Sequence, residues 1–274
     1  VTHSPAAIRA LLAEHGLAPR RDKGQNFVAD ANTVRRIAHL AGVGPTTPVV
    51  EIGAGLGSLT LALADTGAEV VAIEVDSGLA SVLRDVVAER PNVHVVEADA
   101  LHADWTTLLA GHDHWTLVAN LPYNVATPLV CDLLDGVPAI ERMLVMVQRE
   151  VGERFVAPPR GESYGAVSVK VAYWAAARTV GYVPPTVFVP RPNVESALVE
   201  IVRRPPPGHD PTVGACDVFE LVRAGFAQRR KMLRRALAGR VTPAQLAAAG
   251  IDPEARAEEL DVAAWCRLAD VVRA

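Results

Sequence analysis

The sequence predicts an α/β protein, a mostly parallel sheet of seven strands with helices over its faces, followed by a small all-α C-terminal domain. Three observations carry this. Short apolar runs alternate with amphipathic stretches over the first two thirds of the chain, the apolar runs are continuous, and a proline-rich linker is followed only by alanine-rich helical patterns. Strands separated by helices pair in parallel through right-handed crossovers. Parallel strands are buried on both faces, which accounts for continuous apolar runs.

The elements follow in order. Pro48-Val49-Val50-Glu51-Ile52 is a strand that runs into glycines, with a helix starting at Ser58 and reaching Ala64. Glu69–Glu74 is the second strand, and a helical pattern covers Gly78–Ala88. Val93–Val96, Thr116–Ala119 and Arg142–Val147 are the third to fifth strands. Two further runs, Ala166–Trp174 and Ser196–Val202, read as strands, with Pro184, Pro185, Pro190 and Pro192 between them. Arg203-Arg204-Pro205-Pro206-Pro207-Gly208 reads as a linker, because a proline run stays extended and continues neither element. Two domains are therefore expected, 1–205 and 206–274, with no internal repeat.

Half of the 274 residues are hydrophobic and 21% are charged, which excludes global disorder. The longest uncharged stretch, His114–Cys131, contains Asn120, Pro122, Asn124 and Pro128 and is no membrane span. No leader pattern opens the chain, so a cytoplasmic protein is expected, with Cys131, Cys216 and Cys266 as reduced, buried thiols. The eight histidines match no metal-ligand or triad spacing, so no metal is expected. Net charge is −4 but uneven: residues 41–140 carry two basic and thirteen acidic groups, residues 212–240 seven basic and two acidic. An acidic chain so divided can still present a phosphate-facing surface.

Glu51-Ile52-Gly53-Ala54-Gly55-Leu56-Gly57-Ser58 joins a strand to a helix, where glycines allow a sharp turn and close approach of a ligand. The dinucleotide fingerprint needs a glycine where Ser58 stands, which disfavours a nicotinamide cofactor. Glu74, 21 residues beyond Gly53, is placed to accept ribose hydroxyls, with Asp76 as the fallback. Asp99 follows the third strand and can accept from an adenine amino group. Ligands of open α/β sheets bind outside the strands' carboxyl ends, so these residues describe a nucleoside pocket.

The fourth strand leads into Asn120-Leu121-Pro122-Tyr123-Asn124. These are turn formers, but beside a nucleoside site they have a chemical use. An Asn side-chain carbonyl and a main-chain carbonyl can accept both N–H bonds of an exocyclic adenine amine and free its lone pair for attack. Pro122 shapes the turn, and Tyr123 offers a flat face for a splayed-out base, worth ~1–3 kcal/mol.

With Gly53, Gly55, Glu74, Asp99 and the Asn120-Leu121-Pro122-Tyr123 group, the chain resembles the S-adenosylmethionine-dependent adenine-N6 methyltransferases of ribosomal RNA. Three more stretches resemble that family: Lys23–Asp30 its cofactor-closing segment, Val187–Ser196 its Phe-x-Pro-x-Pro-x-Val loop, and Phe226–Arg234 a helix of its small domain. The resemblance runs from residue 23 to about residue 237 and is closest to the bacterial 16S dimethyltransferases. It implies a Rossmann-like sheet and S-adenosylmethionine as cofactor. It further implies dimethylation of two adjacent adenines in the 3′-terminal hairpin of 16S rRNA, in the immature small ribosomal subunit, by a monomer. The alternatives are a large-subunit rRNA methyltransferase of the macrolide-resistance type and a non-catalytic RNA-binding relative. By the resemblance, Asn26 and the backbone of Val28 contact the cofactor, Gly53 and Gly55 pass its methionine part, Glu74 its ribose and Asp99 its adenine. Asn120 touches cofactor and target amine, while Tyr123 and Phe188 sandwich the base. No general base is assigned, because a methyl sulfonium needs chiefly alignment.

Phe219, Val222, Phe226, Leu233 and Leu237 recur at helical spacing and read as core. Arg229, Arg230, Lys231, Arg234 and Arg235 place five cations in seven positions beside that stripe, which suits RNA phosphates.

Overall fold

The computed structural model describes residues 3–20, 24–208, 210 and 212–273. Arg21, Lys23 and His209 lie outside the described residues. The chain forms two compact units, one of residues up to Gly152 together with Arg178–Arg203, the other of Glu153–Ala177 and everything from Arg204. This differs from the division expected at 205/206: residues 153–177 belong with the helical unit.

In chain order the elements of the first part are α1 (Pro5–Glu14), β1 (Phe27–Val28), α2 (Ala31–Ala41), β2 (Pro48–Ile52), α3 (Ser58–Ala64), β3 (Glu69–Glu74), α4 (Ser77–Val86), β4 (Val93–Glu97), α5 (Trp105–Leu108), β5 (Trp115–Asn120), α6 (Ala126–Gly136), β6 (Ile140–Gln148) and α7 (Arg149–Val156). They continue with α8 (Ala166–Trp174), β7 (Ala175–Val183), β8 (Phe188–Val189), β9 (Ser196–Arg203), α9 (Ala215–Ala227), α10 (Leu233–Ala236), α11 (Pro243–Ala248) and α12 (Val262–Arg273).

The seven-stranded sheet has the order β4-β3-β2-β5-β6-β9-β7. Strands β2 to β6 pair in parallel and β9 runs antiparallel to β6. Strand order reverses between β2 and β5, so the carboxyl ends of these two neighbours open the crevice where such sheets bind ligands. Acidic caps fix the helices around it: Asp30 accepts from Thr33 N at 2.7 Å on α2, and Asp76 from Gly78 N and Leu79 N at 3.1 and 3.3 Å on α4. Val49, Val70, Val118 and Leu144 of successive strands share one buried core with Ile37 of α2 and Leu63 of α3. Edge strand β4 departs from burial on both faces and is half-exposed, because only β3 covers one of its flanks.

Ala166–Trp174 is the helix α8, not a strand, and the strand at that edge of the sheet is Ala175–Val183. A short, mostly apolar run carries no clear period that separates a helix from a strand. Two contacts decide it. Ser168 Oγ accepts from Gly165 N at 3.1 Å and donates to Arg154 O at 2.6 Å, closing the first turn, while Val169 and Tyr173, four residues apart, enter the helical unit's core.

That core includes Phe219 and Val222 of α9, Leu233 of α10 and Trp265 of α12. Cys216, expected to be buried, is exposed, because Val218, Phe219 and Val222 take the inward positions of α9. The helix expected through the basic run is interrupted: α9 stops at Ala227, and Arg229, Arg230 and Lys231 occupy a turn. The cause is tertiary. Leu233 N donates to Ala255 O at 2.8 Å and Arg234 N to Pro253 O at 3.1 Å, which diverts the backbone from a continued helix.

Candidate active site

β2 ends at Ile52, and the amides of Gly53 and Ala54 donate to Ile73 O of β3 at 2.8 and 3.2 Å, folding the turn back on its neighbour. Gly55 has φ +58°, and a Cβ there would stand 3.0 Å from the Phe27 ring, so this turn admits no side chain without displacement of Phe27. Glu74 ties the turn to β3: Oε2 accepts from Gly55 N at 2.8 Å and Oε1 from Asp76 N at 2.9 Å. Each oxygen keeps a second lone pair, the number needed for two ribose hydroxyls. Asp76, the fallback, is committed to capping α4.

A cavity of about 300 Å³ opens over these strand ends. It brings together Asn26, Val28, Gly53, Gly55, Glu74, Asp99, Asn120, Leu121, Pro122 and Tyr123, ten of the eleven expected site residues outside the basic run. Asp99 Oδ1 accepts from Leu101 N at 3.0 Å and Oδ2 meets His102 Nδ1 at 3.0 Å, and these contacts hold its carboxyl below the usual range.

Asn120 closes the site from the other side. Its Nδ2 donates to Asn26 O at 3.0 Å, which leaves Oδ1 as its acceptor. Pro122 O accepts from Val125 N and Ala126 N, both at 3.1 Å, and is spent on the start of α6. The Leu121 carbonyl has no donor among the described residues, so Asn120 Oδ1 and Leu121 O are the pair of acceptors that an exocyclic amine would meet. Tyr123 lines the cavity, and its hydroxyl lies 3.0 Å from Ser196 Oγ.

Phe188, expected to sandwich the base with Tyr123, stands apart from the cavity. β8 pairs with β1, Phe188 opposite Val28, and the ring is 3% exposed within the core of the first unit; it does not line the cavity. Of the two rings, Tyr123 lines the cavity and Phe188 does not. The basic residues also divide. Arg229 is held by Glu258 at 2.7 Å and by Glu162 O at 3.1 Å, and Arg234 by Glu254 at 3.2 Å, whereas Arg230, Lys231 and Arg235 are exposed with no ion-pair partner among the described residues.

Glu51 and Ser58 carry no site role in the sequence reading, yet both line the cavity and are buried. Glu51 Oε2 and Ser58 Oγ have no partner among the described residues. Burial pushes the Glu51 carboxyl up to about 8, with the nearby Glu74 adding to the rise; burial also raises Glu74, against the pull of the Asp76 and Gly55 amides. The available signal was a carboxylate inside an otherwise apolar strand, two residues before the first glycine.

Three carboxylates and, among the described residues, no Lys, Arg or His line the cavity. Two buried polar atoms await partners there. That donor set fits a ligand with positive charge at one end and hydroxyls in the middle, as S-adenosylmethionine has. Sheet order, glycine turn, acidic strand ends and an Asn-Leu-Pro-Tyr turn define an S-adenosylmethionine-dependent methyltransferase. The family model described as ribosomal RNA adenine dimethylase matches residues 17–274, and the chain belongs to that family. It is 50% identical to the ribosomal RNA small subunit methyltransferase A of Cutibacterium acnes, over 98% of this chain and 94% of the relative. To the enzyme of the same name from Nocardia farcinica it is 49% identical, over 97% and 94%. Among solved structures, the 23S rRNA methyltransferase ErmE superposes with TM-score 0.68 at 27% identity, over 90% of this chain and all of that one. A dimethyladenosine transferase from Plasmodium falciparum, at 22% identity and TM-score 0.71 over 87% and 94%, shares the fold.

Proposed function

We propose that this protein dimethylates the N6 amines of two adjacent adenines in the 3′-terminal hairpin of 16S rRNA, acting as a single chain on the immature small subunit in the cytoplasm. The observation that carries the chemistry is the state of Asn120, whose amide nitrogen is committed to Asn26 O while its oxygen is not. The small-subunit substrate is supported by identity near one half to relatives named for that subunit, against 27% to the large-subunit enzyme ErmE.

When bound, S-adenosylmethionine supplies an electrophilic methyl group on a sulfonium. Glu74 would hold its ribose and Asp99 its adenine, with Glu51 and Ser58 at the glycine turn as further polar partners. Tyr123 would carry the extruded base on its ring. Asn120 Oδ1 and Leu121 O would accept the two amine N–H bonds, which localises the nitrogen lone pair and aims it along the line of transfer. After transfer the nitrogen sheds a proton to water, and the base, still held by Tyr123, is aligned for a second round. In the helical unit, Arg230, Lys231 and Arg235 would contact phosphates and position the RNA without reading its sequence.

The test is methyl mapping on rRNA from a strain lacking the gene, with and without the gene restored. Two adjacent adenines of 16S rRNA that lose both methyl groups and regain them support the reading. Sites in 23S rRNA alone would transfer it to the large-subunit class.

A further inference from the structure

The Pro-rich stretch Val187–Ser196 reaches the active site through its last residue. Phe188, at its start, is packed in the core, whereas Ser196, at its end, lies 3.0 Å from the Tyr123 hydroxyl. Ser196 is fully buried and is the first residue of β9, paired with Gln148 at the end of β6. The next pair of elements is closed by Arg149 N donating to Glu195 O at 2.9 Å, so the serine sits on a fixed point of the ladder. Tyr123, by contrast, belongs to the turn after β5. With β6 lying between β5 and β9, the phenol crosses the end of one strand to reach the second, a span of about 10 Å at ordinary strand spacing.

We infer that Ser196 is a positioning residue for base capture: its hydroxyl fixes the plane of the Tyr123 ring, so that the stacking face is already set before the adenine arrives. This rests on the reading of Tyr123 as the base platform given above. The physical case is rotational. A tyrosine side chain is held by two torsions, and a turn residue open to a cavity is free to sample both. A hydroxyl anchor on an immobile strand removes that freedom in advance, so the base does not bear the cost of ordering the ring. Burial also raises the Tyr123 phenol above its ordinary range, so the bond persists as a neutral hydroxyl pair at every working pH.

Four variants test this on small subunits from a strain lacking the modification: Ser196→Ala, Tyr123→Phe, the two combined, and Tyr123→Ala. Ser196→Ala and Tyr123→Phe should each lower kcat threefold to tenfold, with calorimetric affinity for S-adenosylmethionine within twofold of the parent. Because both remove one bond, the combined variant should be no slower than either alone. A merely structural serine would move the melting temperature and leave kcat untouched. Full kcat in Ser196→Ala, or effects that multiply in the combined variant, overturns the inference while leaving the platform intact, provided Tyr123→Ala has lost a hundredfold or more. Near-parental turnover in Tyr123→Ala overturns the platform and this inference together. Should Ser196→Ala fold poorly, Tyr123→Phe breaks the same bond from the cavity side and decides alone.

Discussion

The side-chain amide of Asn120 donates to the main-chain oxygen of Asn26 at 3.0 Å, across 94 residues of sequence. One bond thereby does two things. It fixes which end of the Asn120 amide faces the cavity, and it ties the cavity-lining segment around Asn26 to the turn after β5. Asn26 in turn donates its own Nδ2 to Gly24 O at 3.1 Å, so that segment is stiffened where Asn120 grips it.

Asn120→Ala should therefore lower single-turnover methyl transfer by about a hundredfold or more, the scale of removing one preorganised partner from a reacting group. Small-subunit binding should stay within about threefold, because the lost acceptor acts on the amine and not on phosphates. Rapid-quench methyl transfer beside a filter-binding measurement separates the two. Near-parental transfer would reduce the Asn-Leu-Pro-Tyr group to a turn.

Glu74, the proposed ribose anchor, is also a scaffold, since its two oxygens already accept from Gly55 N and Asp76 N. Glu74→Ala removes a charged acceptor from two hydroxyls, a loss of about 1.5–3 kcal/mol, or roughly tenfold to a hundredfold in cofactor affinity. Glu74→Gln should lose affinity too, because an amide turns a donor toward one of those two N–H groups. Calorimetric titration with S-adenosylmethionine reads both. Unchanged affinity in either variant contradicts the assignment.

Much of this site is legible in the sequence, and the reason is topological. Gly53, Glu74, Asp99 and Asn120 each lie at or just past the carboxyl end of a parallel strand, and parallel strands deliver those ends to one edge. The residues that were missed depend on contacts between distant segments. Nothing local marks Ser196 as the partner of Tyr123, or turns Phe188 into the core through the pairing of β8 with β1. The basic run fails as a helix for the same reason: its amphipathic spacing is genuine, but the carbonyls of Pro253 and Ala255 take the amides of Arg234 and Leu233. Ala166–Trp174 is ambiguous because a short, mostly apolar run has no clear period to read.

Glu51 predicts a dependence of stability on pH. Its carboxyl is pushed from the ordinary 4.5 to about 8 in the folded protein by burial. Between those values the folded state holds a proton that the unfolded state has lost, so stability is fully present below about 4.5 and is lost as pH rises through about 8. One proton gives a slope of at most about 1.4 kcal/mol per pH unit. Glu51→Gln keeps the shape and removes the proton exchange. In thermal melts of the cofactor-free protein, the variant should match the parent near pH 5 and exceed it by several degrees near pH 8. A difference that does not change with pH would show that Glu51 does not titrate in this window.

The last prediction concerns the cations left over once internal pairs are counted. Arg229 and Arg234 are engaged by Glu258 and Glu254, so their loss should act on the helical unit's stability. Exposed ion pairs are worth about 0–1 kcal/mol, and either alanine variant should therefore melt within a few degrees of the parent. Arg230, Lys231 and Arg235 are exposed, and as phosphate contacts each should contribute about −0.7 to −0.9 to the slope of log affinity against log salt. Replacing these three by alanine should flatten the slope for immature small subunits by roughly two units, with cofactor affinity unchanged. Salt-titrated binding of the triple variant measures this directly, and the Arg229→Ala/Arg234→Ala pair, which removes two cations against three, is the control. If the two sets flatten the slope alike for each charge removed, the turn acts through net charge. If neither does and activity is full, RNA docking lies elsewhere, and the basic N-terminal segment around Arg20 becomes the sequence to alter next.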